Sequence, residues 1–150
     1  MKTKGLIIYL VDDDKDDRDW FCEALAEQKT DAKIKTFENG VDLMSDLLDK
    51  EKVLPDIIFL DLNMPLMNGE ECLSDIRGEK EFSNIRLIIY SSYFDGEKIQ
   101  LLQKKGADHY LRKPKSIQQL KQSIERYIQS SYHNLGYLLS WSGIQCLVVW

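Results

Sequence analysis

The sequence contains few cysteines and no excess of positive charge. The three cysteines, Cys22, Cys72 and Cys146, are odd in number, lack the spacing of metal ligands and lie among apolar residues. This pattern is typical of reduced thiols in a cytoplasmic protein. The formal net charge is −5, and acidic residues cluster near the start of the chain. We therefore expect neither nucleic acid nor an anionic membrane as a partner.

The sequence also lacks a secretion signal and the length for several domains. The first apolar run, residues 6–11, is too short for the core of a signal peptide, and no small-residue cleavage site follows it. A chain of 150 residues suits one domain with its own core and leaves no room for a second catalytic domain. We expect a single domain in the cytoplasm.

Three short apolar runs end on polar side chains. The runs are residues 6–11, 57–60 and 87–90, and they are followed by Asp12 and Asp13, by Asp61, and by Ser91. A short apolar run that ends in turn residues is typical of a strand buried on both faces of a parallel sheet. Ligands of open α/β sheets bind at the carboxyl edge. We therefore expect these polar residues to share one rim of the sheet.

Strand-like and helix-like segments alternate along the chain, which predicts an α/β fold. Residues 32–37 alternate as in a strand near the edge of a sheet, and residues 109–111 form a last short strand. The intervening segments carry apolar residues at helical spacing, and Gly106 suits a left-handed cap after the fourth helix. Five strands, five helices and short connections favour a parallel sheet covered on both faces, which is a three-layer, doubly wound arrangement.

The polar residues of this rim suit phosphoryl chemistry. Three carboxylates close together repel one another unless a cation lies between them. An all-oxygen site favours Mg²⁺, with Asp12 and Asp13 as ligands. Lys113 ends another predicted strand and supplies a positive charge, while Ser91 supplies a hydroxyl donor. Together these groups can hold the oxygens of a phosphoryl group, with Asp61 as the nucleophile that forms an acyl phosphate.

Four motifs at the predicted strand ends occur together in this chain. They are Leu10-Val11-Asp12-Asp13, Leu60-Asp61-Leu62-Asn63-Met64-Pro65 with Asn68-Gly69 after it, Ser91 after its strand, and Gly106-Ala107-Asp108-His109-Tyr110-Leu111-Arg112-Lys113-Pro114. With these motifs, residues 5 to about 130 resemble the receiver domain of bacterial two-component response regulators. The resemblance implies a flavodoxin-like sheet with strand order 2-1-3-4-5.

The resemblance also implies a function and partners. The chain resembles a stand-alone, chemotaxis-regulator-like receiver that takes a phosphoryl group from a phosphohistidine. The donor would be a sensor histidine kinase or a histidine phosphotransfer protein, and the modified receiver would act on a downstream protein. Such a module catalyses only its own phosphorylation and dephosphorylation, so it is not an enzyme with a turnover substrate.

The resemblance assigns a role to each residue of the rim. Asp61 would accept the phosphoryl group and Lys113 would contact it. The ligands of Mg²⁺ would be the side chains of Asp12, Asp13 and Asp61 together with the Asn63 carbonyl.

The resemblance further implies a conformational switch. Ser91 and Tyr110 match the hydroxyl and aromatic positions that change between states, and the Lys113-Pro114 peptide bond would be cis. The residues after this proline, Lys115 and Ser116, depart from the apolar or aromatic residue usual in the family.

Two other kinds of site fit the acidic segment less well. A haloacid-dehalogenase-type phosphatase would use Asp12 and Asp14 as its paired aspartates, but no late acidic pair follows Lys113. A calcium loop would require glycine at the position of Asp17. We assign Asp14, Asp16 and Asp17 to the first turn of a helix, where they suit the helix dipole.

The receiver resemblance leaves an apolar extension, residues 131–150, without a counterpart. Its 16 residues from Leu135 to Trp150 are broken by Gly, Ser and Gln, and a membrane-spanning helix needs about 20 apolar residues. The segment is either an extension without an evolved role or a segment that docks on a receiver surface. Docking on a second copy would give a homodimer.

Overall fold

A computed structural model describes residues 5–93 and 95–133. In chain order the elements are β1 (Ile7–Val11), α1 (Lys15–Ala26), β2 (Lys33–Phe37), α2 (Gly40–Leu47), β3 (Ile57–Leu60), α3 (Gly69–Gly78), a 3₁₀ turn (Lys80–Phe82), β4 (Arg86–Ser91), α4 (Gly96–Lys104), β5 (His109–Arg112) and α5 (Ile117–His133). The strands form one parallel sheet in the order β2-β1-β3-β4-β5. The expected flavodoxin-like arrangement of five strands and five helices is confirmed.

The burial of each strand follows its place in the sheet. All four residues of β3, the central strand, are buried because helices cover both faces. The edge strand β2 leaves most of its residues at least partly exposed, and only Phe37 is buried. The alternating pattern of residues 32–37 therefore marked an edge strand, as expected.

The helices divide the core into two layers. Leu43 of α2, Leu73 of α3 and Leu102 of α4 pack against one face of the sheet. Phe21 of α1 and Leu120 of α5 pack against the other face. The sheet is therefore covered on both sides, which leaves its carboxyl edge as the place where polar residues gather.

Several large apolar residues in or next to the helices lie outside the core. Trp20, Leu48 and Leu101 are exposed, whereas their neighbours Phe21, Leu47 and Leu102 are buried. Successive residues of a helix point about 100° apart, so only one of each pair can face the sheet. Val41, in the first turn of α2, is also exposed.

The loop that follows α4 contains a glycine with a positive φ. Gly106 has a φ of 111°, which confirms the expected left-handed cap. The side chain of Arg77 lies against this glycine, and a Cβ atom at position 106 would be 2.6 Å from the Arg77 Cγ atom. The glycine is therefore required both by its backbone conformation and by the close approach of Arg77.

The expected cis bond before Pro114 is wrong. No peptide bond within the described part of the chain is cis, so the Lys113-Pro114 bond is trans. The trans form of a bond before proline is favoured intrinsically by about 0.5–1 kcal/mol. With a trans bond, the Lys113 side chain still reaches the acidic rim.

The predicted domain boundary near residue 130 stays a prediction. Helix α5 continues to His133, beyond residue 130. The predicted docking concerns the apolar tail from Leu135 to Trp150, which lies outside the described residues. Within residues 5–93 and 95–133, no helix combines the length and apolar character needed to cross a bilayer.

Candidate functional site

The ends of four parallel strands bring the predicted site residues to one edge. Asp12 directly follows β1 and Asp61 directly follows β3, and these two strands are neighbours. The Asp61 amide donates to the Val11 carbonyl (3.0 Å), which holds the two carboxylates side by side. The Lys113 amide donates to the Ser91 carbonyl (2.9 Å), so β5 continues alongside β4 into the site.

Three carboxylates meet at this edge. One ligand oxygen from each of Asp12, Asp13 and Asp61 lies within 4.8 Å of the other two. Asp12 and Asp61 are buried, whereas Asp13 is exposed to solvent. This set of hard oxygen donors, open on one side to water, fits Mg²⁺, which keeps several water ligands when it binds to proteins.

The ammonium group of Lys113 lies between the acidic residues. Its Nζ atom is 2.8 Å from Asp12 Oδ2, 2.8 Å from Asp17 Oδ2 and 3.5 Å from Asp61 Oδ2. The Lys113 side chain is 14% exposed and that of Asp12 is fully buried. Because one positive charge faces several negative ones, the site still carries a negative charge that a divalent cation would balance.

Burial and the neighbouring charges both shift the pKa values of Asp61 and Lys113. Burial raises the pKa of Asp61 to about 7, with the Lys113 charge lowering it and the Asp12 charge raising it further. Burial disfavours the charged form of Lys113, but hydrogen bonds to Asp12 and Asp17 raise its pKa above the usual range. Lys113 therefore stays protonated, while Asp61 depends on nearby positive charge to ionise fully at neutral pH.

The two predicted switch residues contact each other. The Ser91 side chain is buried, and its Oγ atom accepts a hydrogen bond from the Tyr93 amide (3.1 Å). Tyr110 is also buried and donates its hydroxyl to the Tyr93 carbonyl. Burial raises the pKa of Tyr110, and a hydrogen bond with Ser91 lowers it. Ser91, Tyr93 and Tyr110 thus form one hydrogen-bonded group beside the acidic rim.

The acidic residues at the start of α1 have different roles. Asp14 caps the helix, because its side chain accepts hydrogen bonds from the amides of Asp16 and Asp17. Asp17 also binds Lys113, so its assignment to the helix dipole alone was incomplete. Arg18, which the sequence did not single out, donates to the Asp12 carbonyl (2.8 Å) and supports the same loop.

Asn63 contacts the site through its backbone. Its amide donates a hydrogen bond to the Asp61 carboxylate, which lowers the pKa of Asp61. The role of its carbonyl as a metal ligand stays a prediction.

Comparisons with known proteins define the class to which this fold and site belong. The family described as response regulator receiver domain matches residues 8–125, so the chain belongs to this family. It is 30% identical over 132 residues to protein PilG of Pseudomonas aeruginosa, covering 86% of this chain and 92% of PilG. It is 32% identical over 96 residues to sporulation initiation phosphotransferase F of Bacillus subtilis, covering 63% of this chain and 73% of that protein.

Other relatives are longer than this chain. The probable C4-dicarboxylate response regulator DctR of Bacillus subtilis is 30% identical over 129 residues, which cover 86% of this chain and 55% of DctR. The chain thus spans about half the length of that relative.

Solved structures agree with the fold. The phosphorylated cyanobacterial phytochrome response regulator RcpA is 25% identical with a TM-score of 0.79, covering 87% of this chain and 96% of RcpA. The chemotaxis response regulator CheY4 of Vibrio cholerae is 23% identical with a TM-score of 0.70, covering 82% and 98% of the two chains, and shares the fold. The comparisons give no support to the alternative of a haloacid-dehalogenase-type phosphatase.

Proposed function

We propose that this receiver accepts a phosphoryl group on Asp61 in a phosphorelay and transmits the change to a downstream protein. The donor is the phosphohistidine of a sensor kinase or of a histidine phosphotransfer protein, and the reaction depends on Mg²⁺. The observation that carries the proposal is the position of Asp61, buried beside Asp12 and Asp13 with the Lys113 ammonium 3.5 Å away. The phosphorylated RcpA structure supports the modification, and the name of sporulation initiation phosphotransferase F supports the transfer of a phosphoryl group.

The carboxylates provide a fitting set of ligands for the cation. Asp12, Asp13 and Asp61 would hold Mg²⁺ through their side chains, with the Asn63 carbonyl as a further ligand. The bound cation would neutralise the charge shared by the acids and the phosphoryl oxygens. The alternative use of Asp14 as a catalytic partner is disfavoured because its carboxylate caps α1.

The remaining chemistry is carried by Asp61 and Lys113. A carboxylate oxygen of Asp61 attacks the phosphorus, an O–P bond forms and the P–N bond to the donor imidazole breaks. The electron pair of that bond stays with the imidazole, whose other nitrogen carries a proton and makes it a neutral leaving group. The Lys113 ammonium binds a phosphoryl oxygen and stabilises the charge on the transferred group.

The hydroxyl of Ser91 connects the modification to the surface. We expect Ser91 to turn toward the phosphoryl oxygens and to release its hydrogen bond with Tyr110. Tyr110 is already buried, so the modification would stabilise this position through differential contacts rather than create a new one. Amide chemical shifts with and without beryllofluoride test this step. Unchanged shifts across α4, β5 and α5 would contradict it.

The setting of this reaction is the cytoplasm, where sensor kinases present their phosphohistidine. The chain itself catalyses only its phosphorylation and dephosphorylation. Phosphotransfer from purified histidine kinases would identify the partner kinase.

Phosphotransfer from a panel of autophosphorylated histidine kinases tests the proposed function. Label should move from one kinase to the wild-type chain in the presence of Mg²⁺ and stay on the kinase when EDTA is added. Asp61→Asn should accept no label, and Asp75→Asn, which changes an exposed acid on α3, should behave as the wild type. Transfer to Asp61→Asn, or equal transfer with EDTA, would contradict the proposal.

A further inference from the structure

Asp17 is the member of the Lys113 group that the receiver motifs do not include. It lies in the first turn of α1, and its Oδ2 atom is 2.8 Å from the Lys113 Nζ atom. Its neighbour Asp16 is exposed, and in the described part of the chain the carboxylates paired with Lys113 are those of Asp12, Asp17 and Asp61. Two adjacent acids of one helical turn therefore differ in their contact with the site.

The ammonium of Lys113 faces three carboxylates at once. A lysine ammonium has three donors and no acceptor, and three carboxylates surround this one. A phosphoryl group on Asp61 adds oxygens with a charge of about −2 that also need this ammonium. Lys113 must then give up one of its present partners.

The exposure of the partners decides which contact is lost. Asp12 is fully buried, so water cannot take the place of Lys113 beside its carboxylate. The Asp17 side chain is 36% exposed, so water can take the place of Lys113 at little cost. Asp17 is therefore the partner that the phosphoryl group displaces.

We propose that Asp17 is a positioning residue that competes with the phosphoryl group on Asp61 for the ammonium of Lys113. In the unmodified chain, Asp17 holds Lys113 toward α1, at 2.8 Å, while Asp61 lies at 3.5 Å. The competition weakens the binding of a phosphoryl group and so favours the unmodified state. This inference rests on the proposed function, because it concerns the same site.

The test compares Asp17→Asn with Asp16→Asn. Both variants remove one acid from the first turn of α1 and lose a similar interaction with the helix dipole. Asp17→Asn should bind beryllofluoride in the presence of Mg²⁺ about three- to tenfold more tightly than the wild type. It should also reach half-maximal phosphorylation at a correspondingly lower concentration of acetyl phosphate, and Asp16→Asn should stay within about twofold of the wild type on both measures.

A conservative variant separates positioning from a structural effect. Asp17→Glu keeps the competing charge and should bind beryllofluoride like the wild type. Equal affinities for Asp17→Asn and Asp16→Asn would overturn the inference, and so would weaker binding by Asp17→Asn, which would mean that Asp17 holds Lys113 in a productive position. Either result leaves the proposed function intact so long as the wild type is phosphorylated and Asp61→Asn is not.

Discussion

Gly69 lies directly against the backbone of Asp61. A Cβ atom at position 69 would be 2.1 Å from the Asp61 carbonyl oxygen and 2.9 Å from the Leu62 Cα atom. The Gly69 amide donates to the Leu62 carbonyl (3.0 Å), so the loop folds back tightly on the strand end that carries Asp61. The first turn of α3 and the candidate site therefore depend on a residue without a side chain.

Gly69→Ala is expected to destabilise the fold and distort the site. Backbone atoms must move to admit the methyl group, which costs about 1–3 kcal/mol in unfolding free energy. Urea denaturation measures this loss, and beryllofluoride binding should weaken in parallel. Gly78→Ala is the matched control in the same helix, because its Cβ meets no atom within 4 Å, and it should be neutral or mildly stabilising. Equal stability of the two variants would contradict the close contact.

Arg77 joins three segments through one guanidinium group. It donates to the carbonyls of Gly106 (2.8 Å), Phe82 (3.1 Å) and Ile85 (2.8 Å) and forms an ion pair with Asp108 (2.8 Å). Arg77→Lys should lower the unfolding free energy by about 2–4 kcal/mol, since a single ammonium cannot satisfy carbonyls in these separate directions.

Chemical denaturation of Arg77→Lys tests this contact, with Arg126→Lys on the exposed side of α5 as the control. If Arg77→Lys loses no more unfolding free energy than Arg126→Lys, the carbonyls find other hydrogen-bond partners at no cost. The midpoint of thermal unfolding should also fall further for Arg77→Lys than for Arg126→Lys.

The buried carboxylate of Asp46 makes the fold less stable at acid pH. Burial raises its pKa, but hydrogen bonds from Lys35, Tyr9 (2.5 Å) and Lys52 (3.1 Å) outweigh burial and leave the pKa below its usual value. A lowered pKa in the folded state adds stability above the pKa of the unfolded state, near 3.9, and this stability is lost as the pH falls through the folded value.

Asp46→Asn should therefore cost about 2 kcal/mol at pH 7, because charged hydrogen bonds of this kind contribute about 1.5–3 kcal/mol. The difference from the wild type should shrink as the pH falls below about 4. Urea titrations at pH 7 and at pH 3 measure it, with Asp75→Asn as the exposed control. A difference that stays constant over this range would be inconsistent with the lowered pKa.

Tyr127 has a buried hydroxyl that finds no hydrogen-bond partner among the described residues. Its ring packs edge-on against Phe59 and His109, and Phe would keep these contacts. Tyr127→Phe should leave stability unchanged or raise it by up to about 1 kcal/mol, since an unpaired buried hydroxyl is unfavourable. Tyr9→Phe, which removes the hydroxyl bound to Asp46, should be destabilising by about 1 kcal/mol. If Tyr127→Phe lowers the midpoint of thermal unfolding more than Tyr9→Phe does, the hydrogen bonding assigned to one of these hydroxyls is wrong.

The strands were predictable from the sequence because their apolar runs are short and bounded by turn residues. The predicted runs agree with the observed strands to within one residue at each end, as in β4, which was predicted at 87–90 and spans Arg86–Ser91. The strand order did not follow from these patterns and came from the receiver resemblance. The turn at Lys80–Phe82 was missed because three residues carry no helical periodicity.

The site residues were predictable where they follow a strand directly, as Asp12 and Asp61 do. Asp17 was missed because its contact with Lys113 joins residues 96 positions apart, and an acid in the first turn of a helix has an adequate local explanation. The isomer of the Lys113-Pro114 bond was predicted wrongly because sequence alone does not distinguish the two forms.

The most direct measurement is the intact mass of the chain after treatment with acetyl phosphate and Mg²⁺, followed by identification of the modified peptide. The wild type should gain one phosphoryl group on the peptide that contains Asp61, and the gain should vanish with EDTA. Asp61→Asn should gain none, while Asp75→Asn should gain the same mass as the wild type. A phosphorylated Asp61→Asn chain, or modification of the wild type on another residue, would contradict the assignment of Asp61 as the phosphoryl acceptor.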